Sequence, residues 1–102
     1  MIVITGRIKL SSSQDLSEVS AVLCRRAARS RSDNGNIEYS FSINIEDGYE
    51  IILVEKWQDQ ETLEQHLAIP DEEFGQLLAN ASIERAEVTA YEGGPGQILM
   101  QR

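Results

Sequence analysis

Between Tyr49 and Trp57 the chain reads Tyr-Glu-Ile-Ile-Leu-Val-Glu-Lys-Trp, and then it breaks at Gln58-Asp59. This stretch holds the longest apolar run, the only tryptophan and, nine residues later, the only histidine. A short run rich in Ile, Leu and Val, entered from Asp47-Gly48, is expected to form a strand buried on both faces. Asp59 is placed to cap a new helix by accepting from a free backbone N–H. Along that helix Leu63, His66 and Leu67 fall at i, i+3 and i+4, so the imidazole rides on the apolar face. A strand-to-helix unit of this kind aims the Trp57 indole and a His66 ring nitrogen into one interior.

The rest of the chain must build a partner for that unit. From Met1 to Leu10 the pattern alternates, with Ile2, Ile4, Gly6, Ile8 and Leu10 on one face. Gly6 within this first strand predicts a bulge or a close approach by another group. Ser11 to Gln14 matches a capping box opening a helix, whose stripe is Leu16, Val19, Leu23 and Ala27, widened by Cys24 and Ala28. Arg25, Arg26, Arg29 and Arg31 fall in its last turns, where cations complement the carbonyl end of the dipole. They read as a solvated helix end rather than an anion site. Cys24 reads as a small buried apolar residue rather than a nucleophile, because the only histidine is far off in sequence.

After the turn-rich loop Ser30 to Asn36, residues Ile37, Tyr39, Phe41, Ile43 and Ile45 alternate with Glu38, Ser40, Ser42 and Asn44. Glu46-Asp47-Gly48 then signals a hairpin back into the Tyr49–Trp57 strand. Ile69-Pro70 interrupts the next helix, since the residue before proline is pushed out of helical geometry. Asp71-Glu72-Glu73 starts a fresh helix, with Phe74, Leu77 and Leu78 apolar, and Ile83 to Tyr91 alternates as a last strand. The order is β-α-β-β-α(α)-β, an α+β, ferredoxin-like fold with an antiparallel sheet and helices on one face. One domain over residues 1–92 and a tail over 93–102 are expected, the tail's Gln97-Ile98-Leu99-Met100 loose or laid against a partner chain. A sheet covered on one side leaves its other face needing a cover, and a homodimer through the sheet faces supplies one.

Charge and composition narrow the function. The net charge is −8, which disfavours nucleic acid and an anionic membrane surface alike. No apolar run is long enough to span a bilayer, and the first residues lack the pattern of a signal peptide. The single cysteine makes no internal disulfide, which fits a reducing, cytoplasmic setting. One histidine and one cysteine form no metal-ligand cluster, and there is no phosphate-binding glycine loop. No metal and no cofactor is expected.

Glu55-Lys56-Trp57-Gln58-Asp59, followed by Leu63 and His66, resembles the Glu-x-Trp-x-(Asp/Ser)…Leu-x-x-His signature of the antibiotic biosynthesis monooxygenase family. Gly35-x-x-x-Tyr39 is similar to the segment opening the second strand there, and Pro70 also matches. The resemblance implies a dimeric α+β barrel with a pocket between sheet and helices. Some members oxidise quinols or anthrone-type polyketides with O₂ and no metal or flavin, others degrade haem, one isomerises a sugar derivative, and many have no assigned activity. On this likeness His66 and Trp57 fall on pocket positions as catalytic candidates, and Tyr39 joins them as a substrate-binding candidate.

Two departures bear on the chemistry. Asp71 stands where members often have a second histidine. Gln76 and, approximately, Gly6 stand where haem-degrading relatives carry the iron-binding histidine and an asparagine, so haem degradation is set aside. His66 as general base would deprotonate a quinol or phenol so that the anion can give an electron to O₂, and an imidazole suits that step. Its alternative is a packed histidine bonded to a backbone carbonyl. Trp57 is a stacking wall for a flat substrate, core filler, or both. Tyr39 is core with a phenol able to orient a carbonyl. The expectation is a cofactor-independent monooxygenase acting on a small aromatic or quinone-like ligand. A non-catalytic dimeric binding domain of the same fold is the alternative.

Overall fold

A computed structural model describes all residues 1–102. The elements run β1 (Ile2–Leu10), α1 (Leu16–Ser30), β2 (Asn36–Asn44), β3 (Asp47–Trp57), α2 (Gln60–Ala68), α3 (Glu72–Asn80) and β4 (Ile83–Glu92). The four strands form one antiparallel sheet in the order β2-β3-β1-β4. This is the expected ferredoxin-like α+β arrangement, with β3 and β1 central. No helix is long and apolar enough to cross a membrane.

Register explains which side chains meet. Ile4 pairs with Glu55 and Ala90, and Tyr39 also pairs with Glu55, so these side chains share the inner face. Ile2, Ile4, Ala27, Tyr39, Leu53, Trp57 and Leu63 make one core cluster there. Leu10, Val19, Leu23 and Ile51 make a second, and Phe41 packs against both. Burying an aromatic as fully as Trp57 stabilises by about 3 kcal/mol. Gly6 is a close approach: a Cβ there would lie 3.0 Å from Val88 Cγ2 and 3.5 Å from Leu53 Cβ. The register shift in β1 falls instead between Lys9 and Leu10.

Several local expectations are corrected. Helix α1 is capped not by the Ser11–Gln14 box but by Asp15, whose carboxylate accepts from the Ser17 and Glu18 backbone N–H groups. Ser11 instead gives its N–H to the Ser82 carbonyl, and Gln14 accepts from Ser82 N–H, so this segment anchors the entry to β4. The hairpin turns at Ile45-Glu46, with Asn44 opposite Asp47, because the Asn44 side chain captures the Glu46 N–H and Asp47 captures the Tyr49 N–H. Cys24 is exposed, because α1 turns it toward the solvent edge of the sheet. Leu67 is exposed as well, and the buried residues of α2 are Thr62, Leu63 and His66. The apolar residues of β3 are fully buried on its inner face only; on the outer one Ile52 and Val54 are half-buried, and the buried residue is Glu50. Arg7, on the outer face, pairs within the chain with Glu50 at 2.6 Å.

The breaks around α2 stand as expected. Asp59 caps α2 through a reciprocal box with Thr62, and Asp71 caps α3 by accepting from Phe74 N–H. After Glu92 the chain carries no regular secondary structure.

Candidate functional site

The inner end of β3 and the first buried turns of α2 converge on a polar cluster set in the apolar core. Residues alternate across a strand, so Glu55 and Trp57 point to the same side, and Trp57 Nε1 donates to Glu55 Oε1 at 2.9 Å. His66 lies tilted against the indole, ring centroids 4.4 Å apart and planes at 35°. Tyr39 reaches in from β2, 5.6 Å from His66 between centroids. The three side chains singled out from sequence therefore form one contiguous group, with Trp57 0% and His66 1% exposed.

Three further residues complete the cluster. Arg26, on α1, places Nη2 3.0 Å from His66 Nε2, Nε 3.3 Å from the Tyr39 hydroxyl and Nη1 3.3 Å from Asp71 Oδ2. Its guanidinium also covers the Phe74 ring at 4.6 Å. Asp33, in the loop after α1, sets Oδ2 2.7 Å from His66 Nδ1. A guanidinium has donors only, so Nε2 must be the acceptor and the ring proton sits on Nδ1, facing Asp33. The imidazole is thus oriented by a carboxylate on one side and presents its lone pair to a cation on the other.

Electrostatics divides the acids of this region. Burial pushes the Glu55 carboxyl above its ordinary range, against the opposing pull of the Trp57 N–H. Burial, and then the nearby Glu55 charge, likewise raise the Tyr39 phenol and keep it protonated. For Asp71 partial burial acts upward, but the Phe74 N–H and Arg26 outweigh it and hold the carboxyl below the usual Asp range. Asp71 also lies 3.7 Å from Arg29, which in turn lies 3.5 Å from Asp33. Two arginines of α1 are thereby clamped to the acids flanking α2.

Arg26 overturns the reading of the arginines as a solvated end: it is only 8% exposed. Its signal was present in the spacing, since Val19, Leu23, Arg26, Ala27 and Ser30 are the buried stripe of α1. Asp33 carried no comparable signal, because it lies in a loop with no periodicity.

The sequence profile of the family described as antibiotic biosynthesis monooxygenase matches residues 1–76. The chain belongs to this family. A protein of the antibiotic biosynthesis monooxygenase family from Deinococcus radiodurans, 21% identical, superposes with a TM-score of 0.87, covering 99% of this chain and 100% of that one. A mutant of SnoaB, a cofactor-independent oxygenase from Streptomyces nogalater, is 17% identical with a TM-score of 0.78, covering 98% and 97%. Rv0793 from Mycobacterium tuberculosis is 19% identical with a TM-score of 0.74, covering 97% and 98%. These likenesses establish the fold. No protein of curated function matches the sequence.

Within the family frame the two departures have physical places. Asp71, in the position of a second histidine, is the N-cap of α3 and the partner of Arg26. Gln76 lies exposed on α3 and bonds Glu72, away from the cluster, while Gly6 is packed under Val88. No group of three or more His, Cys, Asp or Glu side chains is arranged to hold a metal ion.

Proposed function

We propose that this chain is a cofactor-independent monooxygenase that oxidises a small aromatic, quinol- or anthrone-type substrate with O₂, and that His66 is its general base. The observation that carries this reading is the Asp33–His66–Arg26 line, with Trp57 stacked against the imidazole. A substrate hydroxyl or acidic C–H entering between Nε2 and the guanidinium would pass its proton to Nε2. Asp33 would stabilise the resulting imidazolium, and Arg26 would pair with the phenolate or enolate oxygen. Trp57 and Tyr39 would line the place of the ring.

The anion gives one electron to O₂, and recombination of the radical pair forms a C–O bond to a peroxide. The peroxide takes the proton back from His66, and loss of water leaves a carbonyl. For a methylene substrate the sum is CH₂ plus O₂ giving C=O plus H₂O, so atoms and electrons balance without a further reductant. Since Nε2 is bonded to Arg26, substrate entry requires the guanidinium to move aside.

We also propose that two copies pack through the outer faces of their sheets. There Val3, Ile52 and Val54 are half-buried beside a hollow of about 690 Å³ rimmed by Arg7, Lys9 and Arg85. The alternative reading, a non-catalytic ligand-binding domain, draws on one observation: both His66 nitrogens already have protein partners in a side chain that is almost wholly buried.

O₂ consumption with a panel of reduced quinols and anthrones separates the two. Metal-stripped protein should show saturable uptake, and His66→Ala should lower kcat by about 10²-fold or more while the circular dichroism stays native. Rates equal to those of heat-denatured protein across the panel would select the binding domain.

A further inference from the structure

We propose that the cleft between α1 and β2 is a binding site for a small carboxylic acid with a flat apolar body, its carboxylate held by Arg31. The proposal is independent of the chemistry assigned to His66. The cleft encloses about 400 Å³, within the range of small-molecule sites. Leu23 and Ala27 of α1 form one wall, Phe41 and Ile43 of β2 the other, and Ile51 of β3 the floor. The two walls face each other as helix against strand, which suits a flat ligand better than a globular one.

Arg31 stands at the polar end of this cleft and is fixed there. Its Nε donates to the Tyr39 carbonyl at 3.0 Å, which ties the side chain of the α1 C-cap across to β2. Neither terminal amino group has a hydrogen-bond or ion-pair partner in the chain, so both remain free to offer the fork that matches a carboxylate. Arg25 pairs with Glu73, Arg26 with Asp71, and Arg29 with Asp33 and Asp71. Arg31 has no carboxylate within salt-bridge distance, in a chain with 17 acidic side chains against 9 Lys and Arg. An anchored guanidinium without an acidic partner, over apolar walls, fits a monoanion with a hydrophobic body. The carbonyl end of α1 opposes an anion weakly, so the attraction must come from Arg31 itself.

Cys24, the only cysteine, is exposed and lines the same cleft, which makes it a reporter of occupancy. The test measures alkylation of Cys24 by iodoacetamide in the presence of 2-naphthoate or of its neutral analogue 2-naphthalenemethanol. Naphthoate should protect Cys24 saturably, and the alcohol should need about tenfold higher concentration. In Arg31→Gln the advantage of the acid should disappear while protection by the alcohol stays unchanged. By calorimetry, Cys24→Trp, which fills the cleft from an exposed position, should abolish naphthoate binding. Equal protection by acid and alcohol in the wild type, an undiminished preference in Arg31→Gln, binding that survives Cys24→Trp, or no saturable protection would each overturn the proposal. None of these readouts depends on O₂ uptake, so a failure here is distinct from a failure of the oxygenase reading.

Discussion

Replacing Arg26 by methionine tests whether the guanidinium holds the buried cluster together. The side chain makes three polar contacts: 3.0 Å to His66 Nε2, 3.3 Å to the Tyr39 hydroxyl and 3.3 Å to Asp71. Asp71 keeps the Phe74 N–H and the nearby Arg29, and the rotatable Tyr39 hydroxyl can donate elsewhere, so neither loss is large. His66 Nε2 has no other partner and no access to water, and stranding such an acceptor costs about 1–3 kcal/mol. Methionine recovers part of this by packing on Phe74 without a charge to desolvate. The net expectation is a loss of about 2 kcal/mol, or a fall in Tm of roughly 8–16 °C for a domain of this size. Thermal unfolding followed by circular dichroism measures it. The second arm is the double variant Arg26→Met/His66→Phe, in which no acceptor is stranded and a ring still stacks on Trp57. It should be more stable than additivity predicts, with a coupling of about 1–2 kcal/mol. A single variant within about 2 °C of wild type, or strictly additive variants, would show that Arg26 does not hold the imidazole.

Three further outcomes follow from particular contacts. Gly35 has φ of 77°, and a Cβ there would lie 2.4 Å from Thr62 Cγ2, inside the α2 capping box, so Gly35→Ala should destabilise by about 2–4 kcal/mol in a urea titration. Glu55 has its folded-state pKa raised by burial, so the stability it contributes is complete below the ordinary Glu value of 4.5 and is lost as pH rises through the folded value. Glu55→Gln keeps an acceptor for the Trp57 N–H, and its Tm should gain on the wild type when both are compared at about pH 7 rather than about pH 4. Truncation after Gly94 removes Ile98, Leu99 and Met100, which are all exposed, while keeping the Gly93 N–H bond to the Met1 carbonyl. The Tm should stay within about 2 °C of the full chain; a larger fall would place the tail against the folded domain.

The element order was legible because each transition is written in local chemistry. Asp59, Pro70 and Asp71 act on backbone groups within four residues of themselves, β1, β2 and β4 alternate in sequence, and β3 carries the apolar run. The misplaced boundaries were competitions between neighbours. Ser11 and Asp15 both offer a cap, and the carboxylate, which accepts from two N–H groups at once, prevails while Ser11 is drawn into a bond with β4. At the hairpin, Asp47 spends its side chain on Tyr49, which moves the turn upstream of the Asp-Gly pair.

The site was legible only in its apolar half. The strand-to-helix unit aims Trp57 and His66 into one interior, the family likeness adds Tyr39, and the three meet in space. Their polar partners come from far along the chain: Asp71 lies 45 residues from Arg26, and Asp33 lies 33 from His66. An arginine on a buried stripe is recognisable by spacing, but the charges that make its burial tolerable are set by tertiary contact alone. The same holds for Arg31, whose freedom from a partner shows only once its neighbours on α1 have taken theirs.

The tautomer of His66 tests the central claim most directly, because a base needs its lone pair on the nitrogen that faces the site. Two-dimensional ¹H–¹⁵N correlation of the single imidazole near neutral pH reads it without competing signals. The structure predicts a proton on Nδ1, held by Asp33, and an unprotonated Nε2 accepting from Arg26. A ring protonated at Nε2 with a bare Nδ1 would mean that neither partner orients the imidazole as described, and His66 could not serve as the proposed base.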